Sequence, residues 1–346
     1  MIHVGIIGGG NISDTHARAA REIHGVEIAA IYGHNREKTA RLAQTYGGTF
    51  YDDFAAFLEH RPMQIVLIGS PSGVHAEQGM AAARRGLHVL VEKPIDITKE
   101  RADGLISECD RAHVKLGVFF QDRVAPGIRK LKDLVDTDKL GKPILVSGRV
   151  KWYRPPEYYS GPRWRGTWAL DGGGALMNQG VHTVDLLLWL MGDVERVSAR
   201  AITALHDIEV EDTVVATLEF ANGAIGTLEA ATSVYPGYSR RVELTGSAGT
   251  IILEQDRIIA ADLRPPLAEQ FEPFEETGNS AATSPIVSDV SGHKRILEDF
   301  LRAIETDTKP ICDGREGRRS IEVVQAIYES SRTGQAVTIA GRPSGV

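Results

Sequence analysis

A chain of 346 residues is longer than one hydrophobic core usually supports, so two domains are expected. The composition is ordinary for a globular protein, 42% hydrophobic and 25% charged. The formal charge of −7 argues against a nucleic-acid-binding surface, which needs clustered Lys and Arg. Cys109 and Cys312 stand far apart without CxxC spacing, which argues against a disulfide framework or a thiolate zinc site. A strand-like segment directly after Met1, and no apolar run near the roughly 20 residues that span a bilayer, point to a cytoplasmic protein.

The first 120 residues alternate short apolar runs with helical segments. Ile2–Ile7, Val26–Tyr32, Ile65–Gly69, His88–Val91 and Leu116–Phe120 read as strands buried on both faces. Thr15–Ile23, Arg36–Tyr46 and Val74–Arg85 read as helices between them. This repetition predicts a doubly wound α/β domain over 1–122.

The first run leads into Gly8-Gly9-Gly10-Asn11-Ile12-Ser13. Gly8 permits a tight turn, Gly10 lets the backbone approach a pyrophosphate, and Ser13 takes the small position where helix meets strand. The free N–H groups of that helix then face the phosphates of a dinucleotide. The second strand should deliver an acidic residue to the adenosine ribose. Gly33 stands there instead, and His34, Arg36 and Lys38 could meet a 2′-phosphate, a slight lean towards NADP. Asn35 alternatively reads as a helix N-cap. Beyond the fourth strand comes Glu92-Lys93-Pro94. Ligands of such sheets lie beyond the carboxyl ends of the strands, so Lys93 is placed to exchange a proton with a substrate.

After about residue 122 the pattern changes. Ile144–Tyr153, Val197–Ala204, Thr213–Phe220, Ala224–Ala230, Arg241–Thr245 and Thr250–Glu254 read as mostly antiparallel strands, some joined by turns such as Ala221-Asn222-Gly223. Leu176–Met191 is a helix ended by Gly192, and further helices are expected at Lys294–Glu305 and Arg318–Thr333. Residues 264–290 read as an excursion or mobile loop. The predicted domains are therefore 1–122 and 123–346, with the last helices free to pack back on the first.

A glycine-rich lead-in, 171–174, precedes the long helix, on which Asn178, His182 and Asp185 are spaced to form one polar stripe. His182 suits removal of a hydroxyl proton, with a neighbouring carboxylate fixing its tautomer; the alternative is a buried histidine satisfied by Asp185. A metal at His182 and Asp185 lacks a third ligand. Lys151-Trp152-Tyr153-Arg154 and Arg163-Trp164-Arg165-Gly166 bring aromatics and cations before this helix. Tyr153, Trp164 and Arg165 suit a polyhydroxy ring or an anionic group on it. Arg123, after Phe119-Phe120-Gln121-Asp122, is a further substrate candidate.

The glycine turn, Ser70-Pro71-Ser72-Gly73-Val74-His75, Glu92-Lys93-Pro94, the lead-in with His182-Thr183-Val184-Asp185, and Gly249-Thr250 occur in an order that resembles the glucose–fructose oxidoreductase / inositol dehydrogenase / rhizopine catabolism (Gfo/Idh/MocA) family. The resemblance covers nearly the whole chain. It implies a Rossmann domain followed by an α+β domain whose large open sheet often serves oligomerisation, and hydride transfer between NAD(P) and a hydroxyl-bearing carbon of a sugar or cyclic polyol. It implies Lys93, His182 and Asn178 as the catalytic set. It also implies cofactor contacts from Gly8, Gly10, Asn11, Ile12, His34, Asn35, Arg36, Ser70, Pro71, His75, Glu92, Lys93 and Gln121. Many members carry Asp where this chain has Asn178, which cannot exchange protons, so Asn178 is expected to orient the substrate or His182. The same fold also resembles glycosidases that use tightly held NAD, and non-catalytic dinucleotide sensors.

Overall fold

The computed structural model describes residues 1–161, 164–268, 271, 282 and 289–339. The chain divides into two compact units, Met1–Gln121 with Ile286–Arg318, and Asp122–Pro285 with Arg319–Val346. The second segment of the first unit includes the helix Ser291–Glu305, one of the last helices that were left free to pack back on the first domain.

The first unit holds strands β1 (Ile2–Ile7), β2 (Val26–Tyr32), β3 (Thr49–Tyr51), β4 (Ile65–Ile68), β5 (His88–Glu92) and β6 (Leu116–Phe119). Their order is β3-β2-β1-β4-β5-β6, with every neighbouring pair parallel. Val4, Ile6, Ile7, Val66, Leu67, Val89 and Leu90 are all buried, as strands covered on both faces require. The chain leaves β1 and β4 in opposite directions, which opens the crevice where ligands of such sheets bind. The returning helix Ser291–Glu305 packs on the helix Asn11–Arg21, and its Phe300 closes on Gly117 of β6.

The second unit is built on β7 (Pro143–Lys151), β8 (Val194–Ile202), β9 (Thr213–Phe220), β10 (Ile225–Ala231), β11 (Arg241–Gly246), β12 (Gly249–Glu254), β13 (Arg257–Leu263) and β14 (Val337–Thr338). The order is β13-β12-β11-β7-β10-β9-β8-β14, antiparallel except between β7 and β10. Side chains of β9 alternate between buried and exposed, so the sheet has one packed and one open face. The helix Val181–Met191 covers the packed face, with Thr183 and Leu187 seated over Gly148 of β7.

The expected strands all form, with ends shifted by a few residues. β3, β13, β14 and the helix Lys99–Arg111 were not anticipated. Most of the excursion at 264–290, and Arg163, lie outside the described residues. No helix among the described residues is long and apolar enough to cross a membrane. Both cysteines are free and buried, and burial pushes the Cys109 thiol up to about 12.

Candidate active site

In the first unit the turn after β1 is pinned by Gly8 N–H donating to Tyr32 O at 2.7 Å. Gly8 has φ +128°, and a Cβ there would lie 2.7 Å from Gly69 O. The helix Asn11–Arg21 that follows has Gly10 at its N-cap and no side-chain cap. A Cβ on Gly10 would meet nothing within 4 Å, so the protein's own packing does not require glycine there. An uncapped helix start behind an open glycine is the cradle an incoming phosphate fills, and these residues fit a dinucleotide pyrophosphate.

Gly33 has a different reason to be glycine. A Cβ on it would fall 2.5 Å from Thr39 Oγ1, 3.1 Å from Gly9 N and 3.3 Å from Gly8 C. Its absent carboxylate therefore reflects crowding against the glycine turn, and an Asp placed there would disturb the turn as well as the ribose end. Asn35 uses its side chain to cap the next helix, accepting from Lys38 N–H at 2.9 Å. Arg36 pairs with exposed Asp52 at 2.9 Å, and His34 packs edge-on to Tyr32.

Several of the expected cofactor contacts are also bonded within the protein. Both ring nitrogens of buried His75 lie 2.8 Å from backbone carbonyls, Nε2 from Ser70 O and Nδ1 from Pro94 O, so the ring ties the loop after β4 to the loop after β5. Ser70 Oγ donates to Gln78 Oε1 at 2.6 Å, and Pro71 precedes the short turn Ser72–Val74. Glu92 is buried rather than aimed at a ligand. Its Oε1 lies 2.9 Å from His16 Nε2 and 3.2 Å from His293 Nε2. The three ligand atoms fall within 4.8 Å of one another, a spacing a metal could bridge, although the direct contacts already occupy them. Half-buried Lys93 emerges next to this anchored carboxylate, and Gln121 carries a buried Oε1 without a partner among the described residues.

The anchored trio makes the fold acid-sensitive. Burial alone would raise the Glu92 carboxyl, but hydrogen bonds from His16 and His293 and their charges hold it well below the usual range. Burial lowers His16 against the pull of Glu92. As pH falls below the ordinary His value of 6.5, the unfolded chain takes up a proton that folded His16 resists. Below the ordinary Glu value of 4.5 it takes up another that folded Glu92 resists, so stability is lost in both steps. Glu92→Gln should flatten the lower step in melting temperatures recorded from pH 7 to pH 3. An equal slope below 4.5 in that variant would assign the acid response to other groups.

In the second unit the residues 175–180 form a π-helical turn rather than regular α-helix, and the α-helix proper begins at Val181. The expected stripe therefore separates into three partnerships. Asn178 Nδ2 donates to Asp171 Oδ1 at 2.8 Å, and Asp171 Oδ2 accepts from Gly166 N–H at 3.0 Å. His182 Nδ1 lies 3.6 Å from Asp122 Oδ2, within ion-pairing range but too long for a hydrogen bond. Asp185 has a remote partner. It accepts a bidentate pair from Arg123, at 2.9 and 2.7 Å, with both side chains 1% exposed. Arg123 is thereby removed from the substrate-facing set, because its guanidinium is buried and committed.

Three acidic groups missed in the sequence shape this site. Asp122 stands behind His182 and is itself held by buried Arg240. At 3.6 Å the carboxylate adds negative charge near the imidazole without a hydrogen bond to Nδ1. Asp171 fixes the Asn178 amide. Glu211 clamps the glycine-rich lead-in, accepting from Gly174 and Leu176 N–H groups, both at 2.8 Å, and from Tyr328 OH at 3.0 Å. Burial pushes its carboxyl up to about 7 despite these donors. Tyr153 stacks edge-on to Tyr235, and half-buried Trp164 lies beside Arg165.

A parallel sheet in this order, with an open glycine turn at its crevice, defines a dinucleotide-binding domain. Residues 2–120 match the family model described as oxidoreductase family, NAD-binding Rossmann fold, and residues 128–252 match the GFO/IDH/MocA C-terminal domain. The chain belongs to the Gfo/Idh/MocA family. It is similar to the rhizopine catabolism protein MocA of Rhizobium meliloti, 30% identical over 71% of this chain and 76% of that one. It is also similar to the myo-inositol 2-dehydrogenase of Thermotoga maritima, 24% identical over 98% of each. Among solved structures, the WlbA dehydrogenase from Bordetella pertussis in complex with NADH and UDP-GlcNAcA superposes with a TM-score of 0.89, at 31% identity over 99% of both chains.

Proposed function

We propose that this protein oxidises a hydroxyl-bearing carbon of a sugar or cyclic polyol, or reduces the matching ketone, with a nicotinamide cofactor. The observation that carries this reading is partly exposed His182 with the Asp122 carboxylate 3.6 Å from its Nδ1, on a helix whose lead-in is clamped by Glu211. His182 is the acid/base, moving the hydroxyl proton through Nε2. Lys93 hydrogen-bonds the reacting oxygen and shares that proton, and Asn178, its amide set by Asp171, orients the substrate. The pyrophosphate is held by the N–H groups of Asn11 and Ile12 in front of Gly10. When bound, the nicotinamide accepts or donates the hydride.

At the adenosine end the reading leans to NADP, because Gly33 supplies no ribose-reading carboxylate and His34 and Arg36 stand beside it. Titrating the chain with both cofactors decides that preference. Leu145, Val215 and Ile225 are exposed on the large sheet, which supports assembly into a homo-oligomer through that sheet. The Lys93 and His182 pair favours an enzyme over a dinucleotide sensor. Cleavage of a glycoside without net cofactor turnover would favour the NAD-dependent glycosidase reading instead.

The experiment is Lys93→Ala assayed against a panel of sugars and inositols. Turnover should fall roughly 10²–10⁴-fold with cofactor affinity nearly unchanged. Near-normal turnover by the folded variant would remove Lys93 from the chemistry.

A further inference from the structure

Just before the glycine-rich lead-in, two guanidinium groups share one aromatic ring. Arg165 Cζ lies 4.0 Å from the Tyr158 ring centroid and Arg154 Cζ 5.6 Å from it. Arg154 also sits 5.1 Å over Trp152, and Arg165 donates only a long 3.4 Å bond to Tyr158 O. Gathering positive charge on half-buried Tyr158 is unfavourable unless an anion completes it. Among the described residues no carboxylate lies within ion-pairing distance of Arg165. The nearby acid, Asp171, is already committed to Gly166 and Asn178.

Polar atoms left over around this cluster point the same way. Arg165 Nε, Trp152 Nε1 and Gln179 Oε1 are buried without a hydrogen-bond partner among the described residues, and Gln179 is 5% exposed. Buried donors and acceptors are nearly always satisfied, so three together mark a place that a ligand completes. Gln179 also links the cluster to the proposed catalytic residues. Its Nε2 donates to Tyr158 OH and to Asn178 Oδ1, both at 3.3 Å.

We propose that the substrate carries an anionic group, a carboxylate or a phosphate, and that Arg165 is its receptor, with buried Arg154, held by the Tyr153 and Ala282 carbonyls, adding positive charge behind Tyr158. The proposal rests on the sugar-oxidoreductase reading above and narrows it to acidic or phosphorylated sugars. A guanidinium fork matches either oxyanion in a bidentate way, and its stacking on Tyr158 fixes the plane in which it does so.

The test compares matched probes on the full-length protein: D-glucose, D-glucuronate, D-glucose 6-phosphate and UDP-D-glucuronate, by calorimetry with saturating cofactor and by nicotinamide reduction. At least one anionic probe should bind ten-fold or more tightly than glucose, with the carboxylate and phosphate arms showing which oxyanion is read. Arg165→Gln should erase that preference, while Arg165→Lys should keep part of it, each at an unchanged melting temperature. If glucose binds as well as every anionic probe, or the preference survives in a folded Arg165→Gln, the receptor is overturned. The two readings fail separately. Efficient turnover of neutral sugars alone would sink the anionic group and leave the oxidoreductase standing. Anion-selective binding lost in Arg165→Gln, without nicotinamide reduction by any probe or by a wider sugar panel, would do the opposite.

Discussion

Replacing His182 by Asn should leave the fold and the affinity for nicotinamide cofactor intact and cut hydride transfer roughly 10²–10⁴-fold. Its side chain is 13% exposed, so the change falls outside the sealed core. Asp122 keeps its bond from Arg240 whether or not an imidazole stands in front of it. The pH profile of kcat/KM should lose the limb contributed by the imidazole. A purely structural histidine would behave in the opposite way, with a lower melting temperature and an unchanged profile in the fraction that folds. Both quantities are measured on one preparation, and a stable, active variant with its limb intact would pass the proton to another group, Lys93 first.

Arg123→Ala should be the most damaging single change to stability in the second unit. It leaves the Asp185 carboxylate buried without its bidentate partner, a change that costs about 3–5 kcal/mol. For a unit of this size the melting temperature should fall by roughly 6–20 °C. A paired replacement, Arg123→Met with Asp185→Leu, should recover most of the loss, because apolar groups of similar volume remove both charges together. Calorimetric melts of the three variants separate this role from substrate contact. An unchanged melting temperature with a raised KM for Arg123→Ala would return Arg123 to the substrate.

The parallel sheet was legible because each central strand is an unbroken apolar run, and the glycine turn announces where the crevice lies. β3 escaped notice since Thr49–Tyr51 is only three residues long and not fully buried, which removes the apolar signal. The catalytic helix was legible as a helix, but its π-turn was not. A 3.6-residue period was assumed through Asn178, and this placed Asn178 in line with His182; Asp185 lies in regular helix with His182, but a remote arginine claims its carboxylate. The partners that correct the picture are remote: Arg123 is 62 positions from Asp185, and His293 is 201 from Glu92. Periodicity carries no information over such separations. Asn35 and Gly33 show a further limit. Helix capping and crowding against Thr39 account for residue types that the ribose site was expected to choose.

The origin of His293 bears on how the protein is made. Glu92, Gly117 and the helix Asn11–Arg21 all wait for residues beyond 290: His293 for the first, Phe300 and Asp313 for the second, the Ser291–Glu305 helix for the third. A ribosome adding about 5–20 residues per second reaches residue 318 some 10–40 s after it has finished β6. During that interval the dinucleotide-binding unit stands with one histidine missing from its buried carboxylate and one flank of its last strand uncovered. The second unit, by contrast, has its first seven strands emerge in an uninterrupted stretch. The amino-terminal half is therefore translated first yet completed late, and a fragment ending near residue 122 lacks the pieces that close it.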